Sequence, residues 1–185
     1  LIKAALSHVQ FETIHPFLDG NGRLGRLLIT FLLCAEGALS EPLLYLSLYF
    51  KTYRQLYYDL LQQVRLKGDW EVWLDFFLEG VAVTAEQASN TTRRILSLFD
   101  RDRERIEGIG RTAFSALRLH QLMRQKPLVN ITRAADELEL TPPTIAASLR
   151  HLESLGIVEE VTGRRRDRTF VYREYLDILN EGTQP

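Results

Sequence analysis

The chain has 185 residues, of which 45% are hydrophobic and 25% charged, and its formal net charge is −1. This is the composition of an ordinary globular protein, long enough to bury a core in one domain or two small ones. The near-zero charge excludes a global attraction to nucleic acid or to an anionic membrane, and no apolar run reaches the roughly 18 residues of a membrane span. The single cysteine, Cys34, cannot form an internal disulfide, which favours a reducing, cytoplasmic location.

The chain begins inside a helical pattern. Apolar residues at helical spacing predict a helix from Leu1 to about Glu12. Pro16 disfavours helical backbone angles at His15, so the helix should end there. Nothing before Leu1 caps this helix, and the only methionine is Met123. We therefore expect the chain to be a fragment of a longer protein.

Residues 15–26 form a stretch with an unusual density of functional groups, and its sequence is His-Pro-Phe-Leu-Asp-Gly-Asn-Gly-Arg-Leu-Gly-Arg. Gly20 and Gly22 permit backbone angles that are closed to other residues and allow a ligand to approach the main chain. A turn of this kind before a helix directs several N–H groups at one point, with the positive end of the helix dipole behind them. Arg23 and Arg26 share a face of the first helical turns, and both can bind phosphate oxygens.

Two further residues complete the predicted chemistry of this loop. Asp19 offers hard oxygen ligands for Mg²⁺, and His15 titrates near neutrality and can accept a proton from a hydroxyl. An ordinary turn with solvated arginines would explain a lone Gly-x-Gly, but it does not explain so many positions that agree. The helix that follows should run from Asn21 to about Glu36 and end at Gly37.

The pattern His-x-Phe-x-(Asp/Glu)-Gly-Asn-Gly-Arg-x-x-Arg resembles the active-site signature of Fic-domain proteins, and every signature position is filled. This resemblance implies transfer of AMP from ATP to a Ser, Thr or Tyr hydroxyl of a target protein. It implies that His15 is the base, that Phe17 anchors the loop in the core, and that Asp19 holds Mg²⁺ between the α- and β-phosphates. The other signature residues would bind the phosphates: Gly20, Asn21 and Gly22 around them, and Arg23 and Arg26 at the β/γ end.

The next segment leads away from the loop. Leu43 to Phe50 is either a buried extended stretch or a short helix, and Lys51 to Leu66 is predicted as a helix. The buried side of that helix should carry Leu56, Leu60, Leu61 and Val64. The resemblance to Fic domains continues over residues 45–80, where residues of that family line the adenine pocket, and Tyr58 and Leu61 are our choices for this role. An aromatic core at helical spacing explains the same residues at least as well.

A long helix should begin after Asp69, its expected N-cap, and its apolar pattern weakens after Ala82 before it resumes at Ile95. Residues 100–107 mix both charges and are followed by Gly108 and Gly110, which indicates a domain boundary near 107–111. The sequence therefore predicts a first domain at 1–107 and a second at 111–180.

The sequence of the second domain predicts short helices together with β-like runs, and turn and cap signals give the order of these elements. The predicted elements are a helix at 112–126, an extended piece at 127–131, a helix capped by Thr132 and ending at Leu138, a helix at 143–155, two β-like runs at 157–161 and 169–172, and a helix at 173–180. This order over 111–176 resembles a winged helix-turn-helix domain. The expected fold class is therefore mainly α, with a Fic-type helical core followed by a small winged-helix (α+β) domain.

The resemblance to winged helices implies a surface that could bind DNA. The recognition helix would be 143–155, and an arginine-rich loop would form the wing. Its candidate residues are Thr141, Thr144, Ser148, Arg150 and His151 in the helix region, and Arg164, Arg165, Arg166 and Arg168 in the wing. Residues 111–185 carry eleven Lys and Arg against ten Asp and Glu. A protein contact or a homodimer through this domain therefore stays as open as DNA.

Two hypotheses follow. The first is a protein adenylyltransferase that uses ATP and Mg²⁺, acts on a target protein and carries a regulatory winged helix. The second is a DNA-binding regulator or an assembly module whose Fic part is inactive. The intact signature favours the first. Fic proteins also carry a target-docking hairpin upstream of the signature and often an inhibitory helix with the pattern (Ser/Thr)-x-x-x-Glu-(Gly/Asn). This pattern does not occur in the sequence. We expect both elements in a preceding part of the protein, so the fragment alone is expected to be a weak enzyme.

Overall fold

The computed structural model describes residues 1–41, 44–164 and 167–181, and these residues are mainly helical, as predicted. The chain divides into two compact units, Leu1–Asn90 and Thr91–Pro185. The helices that begin in the first unit are α1 (Ile2–Ile14), α2 (Asn21–Ala35), α3 (Leu46–Thr52), α4 (Arg54–Lys67) and α5 (Trp70–Glu107). None of the helices in the described ranges is long and apolar enough to cross a membrane.

The second unit combines short helices with a small sheet. After the end of α5 and a 3₁₀ turn, its elements are α6 (Ala113–Gln125), β1 (Leu128–Asn130), α7 (Ile131–Leu138), α8 (Pro142–Ser154), β2 (Glu159–Glu160), β3 (Thr169–Val171) and α9 (Arg173–Asn180). The strands are antiparallel in the order β1-β3-β2, and Phe170 pairs with Val129 on one side and Glu160 on the other.

The ends of α1 and α2 fall where the local sequence signals put them. Helix α1 ends at Ile14, and His15 adopts the left-handed conformation with φ 49° while its N–H bonds to the Phe11 carbonyl. Pro16 supplies the reason, because it disfavours right-handed helical angles in the residue before it. Helix α2 begins at Asn21 after Gly20, whose φ of 81° suits glycine.

The region between residues 43 and 67 differs from the sequence prediction. The stretch described from residue 44 contains a short helix, α3, whereas Pro42 and Leu43 lie outside the described residues. The helix predicted at 51–66 is interrupted, because α3 ends at Thr52 and α4 begins at Arg54. Within α4 the buried residues are Tyr57, Leu60, Leu61 and Val64, which recur at threes and fours. Leu56, which was predicted on this face, is 47% exposed, whereas Tyr57 is 3% exposed and occupies the core position.

The division between the two units lies within α5, away from the predicted boundary at 107–111. Leu98, Phe99 and Ile106 of α5 are buried in the core of the second unit, which explains why this part of the helix belongs there. The charged run before Glu107 also conceals a buried residue, Asp102, which accepts a hydrogen bond from the Tyr172 hydroxyl at 2.7 Å. Sequence composition marked the charge run, but only packing defines the units.

Capping in the second unit is also partly different from the prediction. Asn130, rather than Thr132, caps α7, and its Oδ1 accepts from the Arg133 N–H at 2.8 Å. Helix α8 begins at Pro142, one residue earlier than predicted, and the Thr141 side chain accepts from the Thr144 N–H. Both corrections follow the usual preference for a short polar side chain immediately before the first helical residue.

The core of the first unit holds α1 in place beneath the loop. Trp73 of α5 is fully buried and donates its indole N–H to the Ala5 carbonyl of α1 at 3.2 Å. Phe77 of α5 and Ile29 of α2 are buried in the same core. Because α1 and α2 are the two elements that flank residues 15–20, this core positions the candidate site.

Candidate active site

The candidate site lies where the end of α1 meets the beginning of α2. The imidazole of His15 is exposed at the start of the connecting loop, because its left-handed backbone turns the chain out of α1. Six residues later, α2 begins at Asn21. The tight connection brings the predicted base and the predicted phosphate-binding turn into one loop, as the sequence pattern required.

Asn21 is the residue that closes this loop. Its side chain is 2% exposed, its Oδ1 accepts from the Phe17 N–H at 3.0 Å, and its Nδ2 donates to the Phe17 carbonyl at 2.5 Å. The same Nδ2 lies 3.2 Å from Nδ1 of His15. The side chain of Asn21 therefore faces inward, so only its backbone N–H remains to bind a phosphate.

The N-terminus of α2 has the properties of an anion site. Gly20 is its N-cap, and within the described residues no side chain caps the first N–H groups and no acidic residue occupies the first turn. These N–H groups have no partner within the helix, and the helix dipole adds a positive potential of about half a charge. An anionic group at this position would therefore be stabilised.

Arg23 and Arg26 lie over the glycines of the turn. A Cβ on Gly20 would lie 3.5 Å from Nη2 of Arg23, and a Cβ on Gly22 would lie 3.3 Å from Nη1 of Arg26. Arg23 also forms an ion pair with Asp19, with Nη2 and Oδ2 3.6 Å apart, and both side chains are largely exposed. Such an exposed ion pair contributes about 0–1 kcal/mol to stability. Arg23 and Asp19 can therefore separate at little cost, and each can bind a ligand instead.

Asp19 is a single candidate metal ligand rather than part of a preformed metal centre. Its Oδ1 accepts from the Gly20 N–H at 2.6 Å, and its other oxygen faces Arg23. In the part of the chain that the structure describes, no group of three His, Cys, Asp or Glu side chains could hold a metal ion. Asp19 could therefore bind Mg²⁺ only together with oxygens from a ligand, as is common for this ion.

Phe17 does not occupy the position that we expected. The resemblance implied that it anchors the loop in the core, but its side chain is 51% exposed, and its ring is tilted by 41° against that of Phe11, with ring centroids 6.3 Å apart. The loop is anchored instead through the backbone N–H and carbonyl of Phe17, both of which bond to Asn21. The expectation that the Phe17 ring anchors the loop in the core was therefore wrong.

A buried polar cluster beneath the loop was missed by the sequence analysis. His8 and Glu12 of α1 are four residues apart and share a face of the helix, one turn below His15. His8 is fully buried, and its Nε2 lies 2.8 Å from the Tyr57 hydroxyl. Burial lowers the pKa of His8 to about 4, although the nearby Gly25 backbone partly offsets this effect. The spacing of the two polar residues in an otherwise buried stripe was the available signal.

Glu12 occupies the other half of this cluster. Burial raises the pKa of Glu12, and the positive charges of His15, Arg26 and Arg65 oppose that shift. Its Oε1 and His8 Nδ1 are buried without a hydrogen-bond partner in the described residues. Both atoms face Gly25 of α2. A Cβ added to Gly25 would be 2.5 Å from the Glu12 Oε1 and 3.2 Å from the His8 Nδ1. Gly25 is thus required by the close approach of α1 and α2.

The two residues predicted for an adenine pocket have different environments. Tyr58 is about half exposed on α4, and the guanidinium of Arg54 lies 5.8 Å from its ring centroid. Leu61 is buried in the core of the first unit, so its side chain offers little surface to a ligand. Tyr58 stays a prediction, whereas Leu61 occupies the core position that the alternative interpretation described.

The residues predicted for DNA contact are distributed over exposed and buried positions. Arg150 and Arg164 are exposed, and Thr144 is half-buried with its hydroxyl 2.8 Å from that of Thr141. Ser148 is 1% exposed and donates to Ser115, so it cannot present its hydroxyl to a duplex. Arg168 stacks over Phe170 at 5.0 Å. The two remaining wing residues, Arg165 and Arg166, lie outside the described residues.

The comparison with known proteins finds similarity over the segment that contains the candidate site. The sequence profile of the Fic/DOC family matches residues 1–33, which include α1, the loop and most of α2. A probable protein adenylyltransferase of Aquifex aeolicus is 50% identical over 38 residues, which are 20% of this chain and 12% of that protein. The protein adenylyltransferases Fic of Aedes aegypti and Culex quinquefasciatus are each 40% identical over 76 residues, 41% of this chain and 14% of each protein. The matches therefore cover less than half of the chain and a small part of each relative.

The buried cluster generates a prediction about pH and stability. His8 is neutral in the folded chain, and its pKa falls from 6.5 to about 4 on folding. Its contribution to stability is therefore fully present above about pH 6.5 and is lost as the pH falls towards 4. The loss should approach about 3 kcal/mol of the free energy of unfolding. Urea denaturation at a series of pH values measures it.

Glu12 must be held constant in this measurement, because its raised pKa acts in the opposite direction over the same acidic range. The reference should therefore be the Glu12→Gln chain, compared with the double variant Glu12→Gln/His8→Gln. The acid-induced loss between pH 6.5 and 4 should be smaller in the double variant by the amount that His8 contributes. An identical pH dependence in both chains would contradict the assignment.

Proposed function

We propose that this chain contains the nucleotide-transfer site of a protein adenylyltransferase, which moves AMP from ATP to a hydroxyl side chain of a target protein. The observation that carries this proposal is the open N-terminus of α2, overlaid by Arg23 and Arg26 and connected within one short loop to the exposed imidazole of His15. The match of residues 1–33 to the Fic/DOC family and the similarity to proteins named as protein adenylyltransferases support it.

The donor groups of the site suit a nucleoside triphosphate. Backbone N–H groups of Gly22 and its neighbours at the start of α2 would bind phosphate oxygens, and the forked guanidiniums of Arg23 and Arg26 would bind the β/γ end. Asp19 supplies one carboxylate for Mg²⁺, which commonly combines one or two carboxylates with phosphate oxygens. A bound Mg²⁺ would neutralise charge on the phosphates.

The chemistry assigned to the chain requires a proton acceptor beside the phosphates. The target hydroxyl would lose its proton to His15 as its oxygen forms a bond to the α-phosphorus, and the bond to the β-phosphate oxygen would break to release pyrophosphate. Arg23 and Arg26 would stabilise the negative charge that develops on the leaving group. The exposed Tyr58 ring remains our proposal for the contact with adenine, because an aromatic face can stack on a base.

The first prediction for this function concerns phosphate binding. Arg23→Ala should lower the affinity for ATP by roughly 10- to 150-fold, because charge-assisted hydrogen bonds contribute about 1.5–3 kcal/mol. Affinity for adenosine should not change. Isothermal titration with both ligands measures the difference.

Arg103→Ala is the matched control for this variant, since Arg103 is also exposed and also pairs with a carboxylate four residues away, that of Glu107. It should leave ATP binding unchanged. Equal losses for ATP and adenosine in Arg23→Ala would indicate a disturbed fold rather than a lost phosphate contact.

The second prediction concerns the base. His15→Ala should reduce the transfer of label from α-³²P-ATP to protein by roughly 10²- to 10⁴-fold, because a positioned general base contributes about this much. ATP affinity should be retained, since the proposed phosphate ligands lie elsewhere. His151→Ala, in the second unit, should transfer label at the unsubstituted rate. Transfer by His15→Ala at that same rate would overturn the assignment of His15.

For the second unit we propose a winged helix-turn-helix domain with a regulatory role. The supporting observations are the consecutive helices α6, α7 and α8, whose residues Leu119, Ala134 and Leu149 share one core, and the antiparallel sheet formed by β1, β3 and β2. The exposed Arg150 on α8 and Arg164 in the loop between β2 and β3 favour DNA as a candidate ligand of this unit. A homodimer or another protein partner remains the alternative.

A gel-shift measurement on the whole chain tests the DNA alternative. Each phosphate contact contributes a slope of about −0.9 to the dependence of log K on log[salt], so Arg150→Ala/Arg164→Ala should flatten that slope by roughly two units. Lys51→Ala/Lys67→Ala removes two exposed positive charges from the first unit and should leave the slope unchanged. If the folded chain shifts neither random duplex nor its own upstream DNA at low salt, the second unit is an assembly module.

A further inference from the structure

The amide group of Asn21 has its orientation determined by the backbone of Phe17. The atom that faces the Phe17 N–H at 3.0 Å must be the oxygen, because an N–H can only donate. The atom that faces the Phe17 carbonyl must be the nitrogen, because a carbonyl can only accept. Two independent contacts thus agree, and they remove the usual ambiguity between the oxygen and nitrogen of an amide.

This orientation decides which hydrogen bond His15 can make. The nitrogen of Asn21 lies 3.2 Å from Nδ1 of His15, and an amide nitrogen is a donor only. Nδ1 must therefore be the acceptor, which requires an unprotonated nitrogen. A neutral imidazole carries one proton, so that proton must be on Nε2. In the described residues no other hydrogen bond to the His15 ring opposes this arrangement.

We propose that Asn21 is a positioning residue that places the proton of the neutral His15 ring on Nε2. A carboxylate at the position of the Asn21 amide would accept a hydrogen bond from Nδ1–H and would therefore favour the opposite tautomer. The inward-facing amide therefore specifies the chemistry of the exposed imidazole, in addition to closing the loop through Phe17.

The inference deepens the proposed function and depends on it for its catalytic meaning. When the ring accepts a proton, both of its nitrogens carry hydrogen, and neither can accept from Asn21. The contact between Asn21 and His15 thus exists only with the neutral ring and must be given up when His15 takes the proton of a hydroxyl. In the resting chain, Nε2 is a donor, so the nitrogen that takes the proton of the hydroxyl is Nδ1, after Asn21 has released it.

The test is ¹⁵N NMR of the histidine rings, recorded without nucleotide at a pH of about 8, where an ordinary histidine is neutral. The His15 signals are assigned by their disappearance in His15→Gln. In the unsubstituted chain we expect Nδ1 to resonate as an unprotonated nitrogen and Nε2 as a protonated one, with the ratio of this tautomer to the other higher than in Asn21→Ala by roughly 2- to 12-fold, as one hydrogen bond implies. The opposite pattern would overturn the proposal.

Two variants separate the role of Asn21 from a general effect of the loop. In Asn21→Asp the tautomer preference should reverse, because a carboxylate accepts from Nδ1–H, and in Asn21→Ala both tautomers should be populated. His8, whose Nε2 faces the Tyr57 hydroxyl, and the partly buried His151 of the second unit serve as internal controls, and their signals should not change. A folded Asn21→Asp chain that keeps the original tautomer, or a folded Asn21→Ala chain with an unchanged ratio of the two tautomers, would overturn the role of Asn21.

The result is independent of the proposed activity, because no nucleotide or target protein enters the measurement. If the expected tautomer is found but no label is transferred from ATP, the proposed function fails and the assignment of Asn21 stands. If label is transferred with the His15 ring in the other tautomer, the assignment of Asn21 fails and the function stands. Where His8 signals show that Asn21→Asp disturbs the fold, the unsubstituted chain and Asn21→Ala decide the question.

Discussion

The close approach of α1 and α2 at Gly25 is the constraint on which the candidate site depends. A Cβ on Gly25 would lie 2.5 Å from the Glu12 carboxylate and 3.1 Å from the His8 ring, so no larger residue fits without displacing them. Because the helices meet so closely, the loop between His15 and Asn21 is short and held at both ends. The exposed imidazole and the open helix N-terminus are therefore neighbours.

This arrangement leaves polar groups in an unfavourable environment. His8 is fully buried with a lowered pKa, and the Glu12 Oε1 and His8 Nδ1 are buried without hydrogen-bond partners in the described residues. Unpartnered buried polar atoms generally cost about 1–3 kcal/mol each. Natural proteins tolerate such costs mainly near functional sites, so the cluster beneath the loop agrees with the function proposed for the loop above it.

Sequence reasoning succeeded where a local rule controls the outcome. The end of α1 at Ile14 follows from Pro16, and the start of α2 follows from the Gly-Asn-Gly turn; both depend only on nearby residues. It failed where packing controls the outcome. Tyr57 rather than Leu56 lies in the core, where its ring packs against Phe50 and Trp73 and its hydroxyl faces His8; the spacing along α4 does not encode these contacts. Leu98 and Ile106 joined the core of the second unit although the charge pattern suggested a later boundary.

The sequence by itself determined the ends of the first two helices, the mainly helical fold class and the set of functional groups in residues 15–26, because these depend on neighbours in the chain. Only the tertiary structure decided which way those groups face. It turned the Asn21 side chain inward, left the Phe17 ring exposed, and buried Ser148 against Ser115. The physical reason is that a side chain's direction depends on the hydrogen bonds and space offered by residues on other elements or turns, which a motif does not encode.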